Sequence, residues 1–407
     1  MVFLVKNLKE KYSPLYFLAS LGAGGMGVSF FMYFMFLIPH PDFGMPTFNH
    51  IYPYLTGDNK VVAGLIVFVT LAILFFVFKH FQLLIWNLKE YSQFKKTSAY
   101  QQLRSSNAEV TLMAIPLTLG MTINGMFILG VLFVPNLLSF IEYLFPAAIV
   151  AFSLVGIYAL RIFASYFTRF ITNGDFDFGK NNNLSQMIAI FAFSMISVGL
   201  AAPAALSHNI YTSTVGMYLS IFFGTVAVSL VIIKLTFGLN SIFANGIGKE
   251  AAPSLWIMIP VLTLFGITFV RLFSGVNHNL FHTQPSPHIV FLVLSVFISL
   301  QIIFGLVGFV VMRRIGYFKD YVYGDMNSPA SFTLVCPFVA FTVLGMFFIG
   351  WGLVQTGIVE KYTIAHYSLM IPFVLSQIKG IEFIFRLNKK NLYAKATKSV
   401  LKSSVAN

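Results

Sequence analysis

The chain has 407 residues, of which 57% are hydrophobic and only 10% charged, and its mean hydropathy is +0.82. Ordinary soluble domains hold roughly 45–50% apolar and about 25% charged residues, so a water-soluble globule is excluded. The formal net charge of +13 is spread through the gaps between apolar stretches, which argues against a nucleic-acid interface.

A bilayer core about 30 Å thick takes roughly 20 apolar residues at about 1.5 Å rise. Stretches of that length predict ten helical spans, at 14–38, 61–87, 108–134, 138–165, 185–207, 212–238, 253–275, 288–312, 329–354 and 363–387. They leave a short N-terminal segment, 1–13, and a basic tail, 388–407. Runs such as 61–77 are apolar on every face and lack the period-two alternation of a membrane barrel, so the expected class is an all-α integral membrane protein. The first stretch is longer than a signal-peptide core and has no small-x-small site at its end, and it reads as a retained span.

Taken in order, the spans differ by parity. Span 1 carries Gly22-Ala23-Gly24-Gly25-Met26-Gly27; span 3 has Pro116, Gly120 and Gly125; span 5 has Gly199 and Pro203; span 7 has Pro260 and Gly266; span 9 has Pro337 and Gly345. Spans 2, 6 and 8 are rich in Leu, Val, Ile and Phe without proline, although Pro146 and Pro372 interrupt spans 4 and 10. A proline frees a backbone carbonyl, which in hydrocarbon is tolerated only where protein or a wet cavity covers it. The odd spans are therefore expected to be kinked and to form an inner ring, with the even spans facing lipid. The start of span 7, Pro253-Ser254-Leu255-Trp256, resembles that of span 9, Pro329-Ala330-Ser331-Phe332, which adds to the case for repeated hairpins.

Orientation follows from Lys and Arg, because basic loops stay cytoplasmic. With the N-terminus inside, nineteen of the 26 basic residues lie in inside segments or, as Arg386 does, at the very inside end of a span, only Lys60 and Lys361 lie outside, and five lie further within spans. Both termini are thus expected in the cytoplasm, with the protein in the cell inner membrane.

Ten spans in five outward hairpins, proline-bearing odd spans, a glycine-rich first span and 47 phenylalanines together make the chain resemble the tellurite-resistance/dicarboxylate transporter family, which includes a bacterial tellurite-resistance channel homologue and the slow anion channels of guard cells. The resemblance spans roughly residues 14–387. It implies a pseudo-five-fold bundle around a central anion pore, occluded by a phenylalanine of span 9, and commonly assembled as a homotrimer. Carried onto this chain, the gate candidates are Phe338 and Phe341, and the further pathway candidates are Cys336, Pro337, Pro260, Pro116 and Gly24.

Four of the five basic residues within spans, Lys79, Arg161, Lys234 and Lys379, lie near inside ends and can snorkel. Arg271 sits toward the outer end of span 7 and is the candidate for drawing anions to an outer mouth. Glu142 and Glu382 bring carboxylates into the spans near their ends, and Glu382 has Lys379 and Arg386 at ion-pairing distance along one helix face. Coupled carriers usually need an embedded carboxylate, and no Walker-type loop is present, so passive movement of a small inorganic or organic anion is expected in place of pumping or catalysis, with no cofactor and no nucleic-acid partner. Seven of the eight histidines fall in or beside outside segments; His278 and His282 have ligand-like spacing, but no cysteine or carboxylate completes a metal shell there. The rival readings are a coupled transporter of organic or sulfur-containing anions and a membrane redox or metal protein built on the outer histidines.

Overall fold

The structure, a computed structural model, describes residues 4–41, 43–177 and 182–393; Lys180 and most of the basic tail lie outside the described residues. All its long elements are helical, and among the described residues the extended backbone amounts to one isolated bridge between Leu4 and Tyr393. Ten helices are long and apolar enough to cross a membrane: Pro14–Leu37, Lys60–Phe94, Asn107–Phe133, Ile141–Asn173, Ser185–Leu206, Ile210–Asn245, Lys249–Phe281, Pro287–Arg314, Pro329–Val354 and Ile364–Asn391. We number them spans 1 to 10. Each coincides with one expected stretch, and the chain is a multi-pass membrane protein.

The even spans outrun their apolar stretches. Span 2 was expected to end at 87 and continues to Phe94, because Asn87 and Glu90 are buried in polar bonds that hydropathy does not register: Asn87 accepts from the Tyr12 hydroxyl at 2.9 Å, and Glu90 accepts from the backbone amides of Asn7 (3.0 Å) and Leu8 (2.8 Å). Two short helices in the connections, Phe48–Thr56 and Ser98–Arg104, were not expected. Spans 2 and 6 start on asparagine caps; the side chains of Asn59 and Asn209 each accept from two backbone amides of the first turn, which would otherwise lack partners.

Every odd span enters as a 3-10 helix and then becomes α: Pro14–Tyr16, Asn107–Met113, Ser185–Met187, Lys249–Trp256 and Pro329–Leu334 are the five entries. Three of them follow a serine, Ser13, Ser106 or Ser328, whose hydroxyl accepts from the amide two residues on and so favours a tight first turn. This arrangement corrects the expectation of mid-helix kinks. Pro116, Pro260 and Pro337 are each the third residue of the α segment that follows the 3-10 entry, so they mark the change of helix type instead of breaking a continuous helix. Pro203 alone lies near the far end of its span, where it leaves the Gly199 carbonyl without its usual amide donor.

Parity decides burial. In the odd spans 56–94% of the most apolar window is buried inside the protein, against 22–39% in the even spans. The α segments of spans 1, 3, 5, 7 and 9 touch in that order and span 9 returns to span 1; the five 3-10 entries touch one another in the same closed order. Backbones meet closely where side chains are small: a Cβ on Gly216 of span 6 would lie 3.0 Å from the Leu200 carbonyl oxygen of span 5. At the terminal face the N-terminal segment is tied to spans 10 and 2, with the Val5 amide donating to the Leu392 carbonyl just past span 10 at 2.8 Å and Trp86 Nε1 of span 2 donating to the Val5 carbonyl at 2.6 Å.

Candidate functional site

A cavity of about 290 Å³ lies among the five odd spans. Span 1 contributes Gly22, Gly25 and Met32, span 3 Met121 and Asn124, span 5 Met195 and Val198, span 7 Thr263 and Arg271, and span 9 Cys336 and Trp351; Phe152 reaches in from span 4. The lining runs to Gly44 and Met45 in the first hairpin connection, away from the termini. In the other direction it stops near Leu21, Phe191, Pro260 and Cys336. One helical turn further on the same spans, Phe17, Ile188, Ile257 and Phe332 are each no more than 2% exposed. The 3-10 entries, which rise steeply and bring small and apolar residues together, close the bundle at this end.

Among the described residues, Arg271 is the one charged side chain in the wall. It lies deep in the protein yet keeps accessible surface, which faces the cavity. Nη1 donates to the Val198 carbonyl of span 5 at 2.8 Å, and among the described residues no carboxylate pairs with it. Span 7 runs ten residues beyond Arg271, to Phe281, or about 15 Å at helical rise. The polar run Asn277-His278-Asn279 reads as a loop in sequence but continues the helix as a π turn, Asn277–Phe281.

The phase of span 9 decides which of its candidates face the cavity. Cys336, Val339, Ala340, Val343 and Phe347 form one stripe at helical spacing and line it. Phe338 and Phe341 are on the opposite side: Phe338 packs edge-on against Trp256 and Phe383, with ring centres 5.6 and 5.1 Å apart, and Phe341 lies 4.9 Å from Phe373 of span 10. Neither expected gate ring enters the cavity: Gly380 of span 10 leaves room for Phe338, and Gly345 of span 9 leaves room for Phe373, the ring that Phe341 meets. Pro260 is in the wall, whereas Pro116 and Pro337 are buried in packing outside it.

Gly24 also lies outside the wall and serves a different neighbour. A Cβ there would lie 2.7 Å from both His80 Nδ1 and Met121 Cγ. His80, the one histidine of the eight that is not in or beside an outside segment, had no role in the sequence reading. It is buried among three spans, with Nδ1 2.9 Å from the Ser20 carbonyl and Nε2 2.9 Å from Thr122 Oγ1, while the Ser20 hydroxyl donates to the His80 carbonyl at 2.8 Å. The signal for it in sequence was a histidine between Lys79 and Gln82 at the inside end of an apolar stretch. Phe152 was also missed; it passes over Gly199 and Gly120, and no pattern within span 4 alone distinguishes it from the other rings.

The remaining polar groups are local. Lys379 and Arg386 pair with Glu382 at 2.8 and 3.5 Å, as their spacing indicated, and Glu142 accepts from the Ser207 hydroxyl and the His208 amide, both at 2.7 Å. His278 meets the ring of His208, with centres 5.1 Å apart, and among the described residues no three His, Cys, Asp or Glu side chains gather into a metal-binding group. No family model, no curated protein and no solved structure matches the chain.

Proposed function

We propose that the protein is a passive pathway for a small anion, with five outward hairpins in pseudo-five-fold arrangement around a central conduit. Arg271 carries the reading: an unpaired guanidinium deep in a membrane protein, turned into a cavity whose wall holds no carboxylate among the described residues. A charge at mid-membrane costs about 2.5–3.5 kcal/mol on insertion scales, and a bound anion offsets that cost directly. The closed order of the buried odd spans supports a conduit, and the lipid-facing even spans support a shield around it. The charge distribution supports cytoplasmic termini, as in an inner-membrane protein. On that orientation the cavity opens outward and the ring of 3-10 entries occludes it on the cytoplasmic side. The likeness to the tellurite-resistance/dicarboxylate transporter family rests on hairpin architecture and short sequence patterns. The absence of a cavity carboxylate among the described residues favours a passive pathway over the coupled-carrier alternative.

The test is anion flux in proteoliposomes loaded with a halide- or nitrate-sensitive dye and driven by an imposed potential. Flux is expected in the parent and a loss on the order of tenfold or more in Arg271→Gln, since hydrogen bonds to charged groups contribute about 1.5–3 kcal/mol. A parent that passes no anion, or a variant that conducts as the parent does while eluting as the same species, would refute the reading.

A further inference from the structure

We infer that the cavity selects a small monoanion with an apolar body, of the type of a short-chain aliphatic monocarboxylate, over dianions and over compact, strongly hydrated anions. The inference deepens the anion-pathway reading and rests on it. Three features of the wall converge. The first is charge: Arg271 supplies one positive charge, and a single bound negative charge neutralises it. A second negative charge would be desolvated against apolar side chains with no counter-ion among the described residues.

The second feature is the supply of hydrogen-bond donors. Arg271 gives Nη1 to the Val198 carbonyl, and its other guanidinium nitrogens have no partner among the described residues, which leaves donors for one planar carboxylate. Of the neutral polar groups in the wall, Thr263 Oγ1 donates toward the Ala340 carbonyl at 2.9 Å and accepts from Gln301 Nε2 at 2.6 Å, and Asn124 Nδ2 is 3.4 Å from the Met195 sulfur, while Ser274 and Trp351 add one donor each. An anion that needs a full hydration shell would find it replaced only in part here.

The third feature is the sulfur-rich wall. Met32, Met35, Met45, Met121, Met195 and Cys336 all line the cavity. Thioethers are flexible and polarisable, and they close around alkyl groups of varied shape. At about 290 Å³ the space lies near the small end of ligand pockets, which run from about 300 to 1,000 Å³, so the apolar body is short.

Calorimetric titration of the detergent-solubilised full chain tests this. Acetate, propionate, butyrate and pentanoate form the chain-length series, with succinate, sulfate and chloride as comparators. Affinity is expected to rise about fourfold per methylene until the cavity is filled, the equivalent of burying one CH2. Succinate and sulfate are expected to bind at least tenfold more weakly than butyrate. Arg271→Gln should lose butyrate binding by tenfold or more, and Met195→Thr should flatten the chain-length slope. Equal affinity for succinate and butyrate, or no dependence on chain length, overturns the substrate class. Arg271-dependent chloride flux with a flat series would leave the pathway standing without this selectivity. A steep series with no flux of any anion would retain the selectivity and remove the pathway.

Discussion

One glycine at the seam between spans 5 and 7 should be irreplaceable, while another in span 3 should be improvable by the same substitution. A Cβ placed on Gly275 would lie inside contact distance of the Ala204 carbonyl oxygen and 2.9 Å from the Ala204 carbonyl carbon. Both are backbone atoms, so no rotamer change relieves the overlap. Ordinary carbon contacts are about 3.5–4.0 Å, and the two helices must separate by roughly 0.6–1 Å at that point. Overpacking of this kind costs about 1–3 kcal/mol. A Cβ on Gly125 meets nothing within 4 Å, and Gly→Ala inside a helix contributes roughly 0.5–1 kcal/mol. Gly275→Ala and Gly125→Ala should therefore differ by roughly 1.5–4 kcal/mol with opposite signs about the parent. Thermal unfolding in one detergent, followed by helical circular dichroism, reads the order directly. Because Arg271 and Val198 bridge the same pair of spans, Gly275→Ala should also reduce anion flux. If Gly275→Ala melts at or above Gly125→Ala, the close packing of spans 5 and 7 described here is wrong.

Two other predictions concern the terminal face. Glu109, with a side chain 1% exposed, pairs with Arg104 at 3.0 Å and Arg169 at 3.1 Å, and Glu109→Gln should destabilise by about 3 kcal/mol, the lower end of the range for breaking a buried pair, since Arg104 is partly solvated. An unchanged unfolding midpoint would show that the network contributes nothing. Asp320 bonds to Lys249, and that partner holds its carboxyl below the ordinary range. A depressed folded-state value contributes stability above the unfolded pKa of about 3.9, and the contribution disappears as pH falls through the folded value. Asp320→Asn should accordingly narrow the stability loss between about pH 6 and pH 3, and identical acid profiles for parent and variant would remove the ion pair from the account.

Much of the architecture was legible because a bilayer imposes simple one-dimensional rules. Span 8 shows this, since its apolar run predicts a helix at 288–312 and the helix occupies Pro287–Arg314. The parity of burial was also legible, because glycine and proline carry a cost that only a covered environment tolerates. Span ends were less so: Glu90 looks like an interface residue until the N-terminal segment folds back to bond with it. The candidate site was least legible. Residues 338 and 341 differ from 339 and 340 by one helical position, and hydropathy is blind to rotation about the helix axis when every position is apolar.

Composition and charge placement alone determined that this chain spans a membrane ten times, that its odd and even spans have different surroundings, and that an arginine in span 7 stands without a neighbouring charge in sequence. Those properties depend on solvent and on local chain chemistry, which each residue meets wherever its neighbours lie. Tertiary structure alone decided that the proline positions mark a ring of 3-10 entries, that Phe338 and Phe341 turn outward, and that Arg271 faces a sulfur-lined cavity. Those depend on helix rotation and on contacts between residues far apart in the chain, such as the bond from Arg271 to Val198, which no local pattern encodes.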